Sequence, residues 1–196
     1  MAIERYTYLE NRKVLADSGE TLTDINVIDP ITALYFEMRA QNGATSNKAA
    51  TVADVITEVS IIDGSRVLLS LTGYQLAALM WHEHGSIPYN LISESAGGYQ
   101  NLYVPIRFGR WIGDPVYSFN PKAFNNPQIR VKWNLAAVRA VGATGFVTGT
   151  GRLSLIAHVI ETAPDPVGML THKQHYAWST AASGVESIEL PTDNPI

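Results

Sequence analysis

Between Val55 and Thr72 the chain reads VITEVSIIDGSRVLLSLT, and this stretch decides the fold class. In an extended chain Val55, Thr57, Val59 and Ile61 fall on one side, while Ile56, Glu58, Ser60 and Ile62 fall on the other. A period of two with unequal faces marks a strand. Asp63-Gly64 follows, a pair that tolerates positive φ and suits a type I′ hairpin turn. Beyond it, Val67, Leu69 and Leu71 resume the alternation. The stretch therefore predicts two antiparallel strands on a tight turn.

The same rule finds further strands on both sides. TALYFEMRA sets Leu34, Phe36, Met38 and Ala40 against Ala33, Tyr35, Glu37 and Arg39. LYVPIRFG aligns Leu102, Val104, Ile106 and Phe108, and its Pro105, lacking an N–H, implies an edge or a bulge. QIRVKWNL turns Ile129, Val131, Trp133 and Leu135 inward, leaving Arg130, Lys132 and Asn134 outward. RLSLIAHVIE turns Leu153, Leu155, Ala157 and Val159 inward. Weaker strand signals lie near Ile87–Ile92, Val116–Phe119 and Phe146–Thr148. One segment departs from period two. TGYQLAALMWHEHG, Thr72 to Gly85, is rich in helix formers; Leu76, Leu79 and Met80 share one helical face, Tyr74 and Trp81 another, and Gly85 fits the stop.

Gly113 to Gln128, with its prolines and turn-prone Asn and Asp residues, reads as a long crossover rather than a hairpin. Glu161 to Gly168 carries two prolines and no periodicity, the pattern of a linker. Together these signals predict an all-β chain: a jelly-roll β-sandwich of about eight antiparallel strands with one short helix at about residues 72–84. The expected organisation is an N-terminal arm over residues 1–28, a barrel over 29–162, and a linker with the start of a second barrel over 163–196.

Composition narrows the function classes. Hydrophobic residues make up 46% of the 196, enough for a sizeable core. Charged residues are only 16%, below the usual ~25%, which suits a surface covered by other protein. The net charge of −4 argues against nucleic acid as a general partner. One basic run stands out: Arg107, Arg110, Lys122, Arg130, Lys132 and Arg139, against Asp114. It is either a set of solvated charges or an inward- or phosphate-facing patch. Cysteine is absent, which excludes disulfides, thiolate metal sites and cysteine nucleophiles. No signal-peptide pattern or membrane-length apolar run is visible.

The two ends of the chain share a word order. Tyr6 and Tyr8 match Tyr176 and Trp178; Ser18-Gly19 matches Ser183-Gly184; Leu22 to Val27 matches Ile188 to Leu190; Pro30-Ile31 matches Pro195-Ile196. The alternatives are chance and an internal duplication whose second copy is cut short.

Chemistry-bearing motifs are few. In HEH, His82 and His84 would point ~200° apart on a helix, so they could not close on one metal ion. His172 and His175 have a chelating i, i+3 spacing but sit in a linker-like context without a carboxylate. His158 reads as a packed or interface histidine rather than a base. Thr148 to Arg152, TGTGR, lacks the following helix of a phosphate cradle and reads as a tight turn. The sequence predicts no catalytic, cofactor or metal residues, no small-molecule substrate and no specific nucleic acid.

VSIIDGSRVLLSLTGYQLAALMW, LYVPIRFGR and PVYSFNPKAFNNPQIRVKWN together resemble the double jelly-roll major capsid proteins of tailless icosahedral bacteriophages. The resemblance covers roughly residues 20–160 and lies in architecture and word order. It implies a structural virion protein that self-associates as trimers of sixfold outline, alongside other capsid proteins and a second barrel from the same or a neighbouring chain. The sequence departs from that pattern in lacking the second barrel. Two other classes stay open: a carbohydrate-binding sandwich using Trp81, Trp111 and Trp178, and a cupin-like metal-dependent enzyme.

Overall fold

The computed structural model describes residues 3–47, 50–85, 90–136, 145–161, 164–174, 176–177, 179 and 183–189, and of His84 the backbone alone. The strands are β1 (Ile3–Val14), β2 (Ser18–Asp24), β3 (Ile31–Gln41), β4 (Ile56–Asp63), β5 (Arg66–Leu71), β6 (Asn90–Leu91), β7 (Tyr99–Arg107), β8 (Pro127–Asn134) and β9 (Arg152–Glu161). Two helices, α1 (Val52–Val55) and α2 (Gly73–His84), interrupt them. The larger sheet has the order β1-β9-β3-β7-β6 and the smaller β2-β8-β4-β5, all pairs antiparallel.

Leaving aside the two-residue β6, the pairs nest. β1 pairs with β9, β2 with β8, β3 with β7 and β4 with β5. The chain is one long hairpin, wrapped so that β3 meets β9 and β4 meets β8. That wrapped hairpin is the jelly roll. Its innermost turn is the one after Asp63. Asp63 pairs with Arg66, so the turn residues are Gly64 and Ser65, one position later than expected. Gly64 has φ 58° and Ser65 no positive φ, the pattern of a type II′ rather than a type I′ turn.

Two bulges adjust the alternation around this tip. Ile56 pairs with Trp133 but Glu58 with Lys132, which turns Thr57 out to solvent although it shares a side with the buried Val55, Val59 and Ile61 in the simple alternation. In β5 the register slips between Ile61–Leu69 and Ile62–Val67, so Leu68 and Leu69 are both buried. The other inward series hold: Leu34, Phe36, Met38, Leu102, Val104, Ile106, Ile129, Val131, Leu153, Leu155, Ala157 and Val159 are all buried between the sheets. Beyond Leu102 the outer side of β7 has no strand partner among the described residues, and Pro105 sits in that free length.

Helix α2 forms as its sequence dictates. Thr72 caps it, accepting from Gln75 N, while the Gln75 side chain accepts from Thr72 N. Gly85 ends it at φ 65°. Leu76 and Met80 are buried, Tyr74 and Trp81 exposed. Gly73 lies so close to α1 that a Cβ there would be 2.5 Å from the Ala53 carbonyl oxygen.

The boundary expected at residue 29 does not separate an arm from a barrel. Residues 3–24 supply β1 and β2, one edge strand of each sheet. β1 has no fully buried residue, because an edge strand leaves most of its side chains in water. Without an apolar alternation it gives no strand signal of its own. At the other end, the described part of the expected linker is laced to the body. Val167 N donates to Val116 O, Leu170 N to Phe108 O, and Gln174 N to Ser70 O. Of the weaker strand signals, Tyr117, Phe119 and Phe146 make single bridges to Gly168, Ile31 and Asn42. In the first of the three regions β6 forms, while residues 86–89 lie outside the described residues. A buried amide network escaped the sequence reading. Gln100 and Asn47 donate to the Asn42 side-chain oxygen, and Asn42 donates to Ser93 and Ser95 carbonyls, tying two loops together.

Candidate functional site

The outer face of the larger sheet carries the most distinctive chemistry of the molecule. Its strands alternate, so Ala33, Tyr35, Glu37 and Arg39 of β3 point away from the core beside Tyr103 of β7 and Ile156 and His158 of β9. Thr32 occupies a bulge, with Ile31 opposite Val159 and Ala33 opposite His158. The bulge aims the Thr32 hydroxyl at His158 Nδ1, 2.5 Å away, while His158 Nε2 lies 3.1 Å from Glu4 Oε2. A hydroxyl, an imidazole and a carboxylate in series resemble hydrolytic machinery. Here Thr32 and His158 are 0% and 1% exposed, so no substrate carbonyl can reach the hydroxyl. The Thr32–His158 pair is a satisfied buried contact reaching out to the exposed Glu4, the packed role expected for His158.

An aromatic band crosses the middle of this face. The Tyr6 ring lies 4.8 Å from the His158 ring and 5.7 Å from Tyr35, and Tyr35 stacks on Tyr103 at 5.5 Å. Burial, then the neighbouring Tyr6 and Tyr103, raises the Tyr35 phenol well above its usual range. Burial, then the charges of Tyr6, Glu37 and Tyr8, pushes Tyr103 up to about 12. Both phenols thus stay protonated. Tyr6 is 63% and Tyr8 58% exposed, so the band presents aromatic rings to whatever lies outside.

The basic run of the sequence is dispersed into local pairs. Arg107 pairs with Glu83 at 2.8 Å, and His172 approaches the same carboxylate at 3.8 Å. Arg130 and Lys132 share Glu58 at 2.7 and 2.8 Å. Burial raises the Glu58 pKa, but hydrogen bonds from Lys132, Arg130 and Ser60 outweigh it and hold the carboxyl at about 2. Arg110 grips Asp114 through two bonds, 2.8 and 3.1 Å. That buried carboxylate also accepts from the backbone N–H groups of Arg110, Val116 and Tyr117, which together hold it far below the usual range. Asp114 is therefore the organiser of the loop after β7. Arg139 lies outside the described residues.

His82 is exposed on α2, and the side chain of His84 lies outside the described residues, as do His175 and Trp178. Among the described residues no three His, Asp or Glu side chains are grouped as a metal site. Trp81 and Trp111 are 52% and 50% exposed, on α2 and in the loop after β7; the Arg110 guanidinium covers Trp111 at 4.5 Å. Thr148 to Arg152 is a tight turn into β9, with Gly149 at φ 71°.

No protein-family pattern and no curated protein matches the chain. Solved structures do. PBCV-1 VP54, fitted into a cryo-electron-microscopy reconstruction of the virophage Sputnik, superposes with a TM-score of 0.60 at 11% identity, over 82% of this chain and 42% of that one. The PBCV-1 virus capsid gives 0.58 at 12% identity, over 82% and 42%. The STIV MCP gives 0.52 at 14%, over 81% and 48%. The chain has the jelly-roll fold of viral major capsid proteins, as the resemblance in the sequence implied, and it spans less than half the length of each.

Proposed function

We propose that the chain is a non-enzymatic building block of a viral capsid, a jelly roll that associates with copies of itself in trimeric capsomers. The observation that carries this reading is the wrapped hairpin, which superposes on VP54 over 82% of the chain. Three features of the chain support it. Charged residues are scarce, and most of the basic run is spent on internal pairs. The outer face of the larger sheet offers exposed tyrosines, a residue type enriched at protein interfaces. The Thr32 hydroxyl and His158 imidazole, which stand in series with Glu4, are buried away from any substrate.

A second jelly roll, from the same or a neighbouring chain, is the partner we propose beside this one. The shared word order of the two ends supports it, and so does their backbone. Gly19 and Gly184, the glycines of the two Ser-Gly pairs, have φ 151° and 158°. The setting we propose is the virion of a tailless icosahedral bacteriophage, on the strength of the loop and strand words of the sequence.

Light scattering and negative-stain electron microscopy of the purified chain test the reading. Trimeric or particle-sized species are expected. A strict monomer across the accessible concentration range contradicts it.

A further inference from the structure

Four neighbouring strands of the larger sheet place one long polar or aromatic residue each at the same end of its outer face. Arg12 comes from β1, Arg152 from β9, Arg39 from β3 and Tyr99 from β7. With Thr150 they line an open hollow of about 300 Å³. Arg39 and Arg152 are directly opposite in the β3–β9 register. Like charges in that position repel and destabilise a sheet. Among the described residues no carboxylate forms an ion pair with any of the three arginines. This contrasts with Arg107, Arg110 and Arg130, each of which has its acid.

The arginines are also held in place. The Arg39 guanidinium sits over the Tyr99 ring, its central carbon 3.8 Å from the ring centroid, and stacking of this kind leaves the N–H edges free to donate. Arg152 donates through Nη1 to the carbonyls of Gly149 and Gly151, at 2.7 and 2.8 Å, leaving Nε and Nη2 uncommitted. The Thr150 hydroxyl braces this turn, donating to Val147 O and accepting from Gln41 N. Arg12 sits in a bulge of β1, between Glu10 opposite Leu155 and Lys13 opposite Leu153. Its φ is 52°, the one positive φ of a non-glycine residue among those described. Bulges and left-handed side-chain-bearing residues are costly and recur where a side chain must be aimed at something. In a chain of net charge −4, this is a built concentration of positive charge.

We propose that the hollow binds a tetrahedral oxyanion of the phosphate class, received by the free edges of Arg39 and Arg152 and closed over by Arg12. The anion neutralises the facing pair that the fold otherwise leaves in repulsion. This inference stands apart from the capsid reading, because it rests on this chain's own arginines.

Titration of the full chain with inorganic phosphate at constant ionic strength, followed by calorimetry and by amide shifts at Gly149–Gly151, tests it. Saturable binding is expected, weakened at least about tenfold by Arg39→Gln or Arg152→Gln, each of which removes charge-assisted bonds. Lys122→Gln, remote from the hollow, leaves it unchanged. Phenyl phosphate is the second arm: binding equal to that of inorganic phosphate assigns the site to phosphate ester groups, and binding of inorganic phosphate alone assigns it to the free ion. Amide shifts that chloride reproduces at equal ionic strength, variants that titrate like the parent, or malonate binding as tightly as phosphate would overturn the proposal.

Discussion

The two faces of the larger sheet belong to the same strands and obey opposite rules. On β3, Leu34, Phe36 and Met38 point inward, while Tyr35, Glu37 and Arg39 alternate with them and point outward. The inner face is almost wholly apolar, because it packs against the smaller sheet and volume and fit dominate there. The outer face is graded: a buried Thr32–His158 pair near one end, a tyrosine band in the middle, and at the other end arginines with no acid partner among the described residues. A face answering only to packing would show no such gradient. The inner series therefore records how the chain folds, and the outer series what it meets.

Substitutions on each face sharpen this contrast. Phe36→Ala empties a fully buried position between the sheets and is expected to cost about 3–5 kcal/mol in chemical denaturation. A loss below about 1 kcal/mol would mean that the inner face is not the core. On the outer face, His158→Ala leaves the buried Thr32 hydroxyl without its imidazole partner and is expected to cost about 1–3 kcal/mol by the same measurement. If it matches Phe36→Ala, the two faces are equally packed and the contrast fails. The outer face of the smaller sheet yields the smallest effect. Glu58 has a folded pKa of about 2 against an ordinary value of 4.5. Its contribution is thus complete above pH 4.5 and is lost as the pH falls towards 2. Half-exposed partners keep that contribution to roughly 1 kcal/mol. Glu58→Gln should accordingly cost roughly 1 kcal/mol at neutral pH and flatten the acid limb of the stability profile, the difference from the parent vanishing as the pH falls towards 2.

The parts of this fold legible in the sequence are those whose environment is unequal on two sides. β3, β7, β8 and β9 are central or nearly so, and their buried faces write an alternation into the chain. Helix α2 is equally plain, since its run of helix formers, the Leu76–Leu79–Met80 face and the Gly85 stop are local signals. β1 left no trace, because its partner β9 lies at the far end of the chain and its own side chains stay wet. The bulges at Thr57 and Leu68 were hidden for a related reason: a one-residue slip depends on the partner strand. The outer-face cluster was visible only as scattered tyrosines and a histidine. Arg12, Arg39 and Arg152 become neighbours solely through the β1–β9 and β3–β9 registers, so no local motif could have announced them.

Everything in this account depends on the nesting of the chain, with its first strand closing on its last. The chain contains no cysteine, which allows a clean test of that closure. Tyr8 and Ile156 are direct partners across β1 and β9, with Tyr8 exposed on the outer face. Side chains directly opposite in an antiparallel pair are close enough for a disulfide. In a Tyr8→Cys, Ile156→Cys double variant, mild oxidation should produce an intramolecular bond in nearly every molecule, detected by mass spectrometry after proteolysis. Free thiols under the same conditions, in a chain that remains folded, would contradict the nested jelly roll and the capsid reading that rests on it.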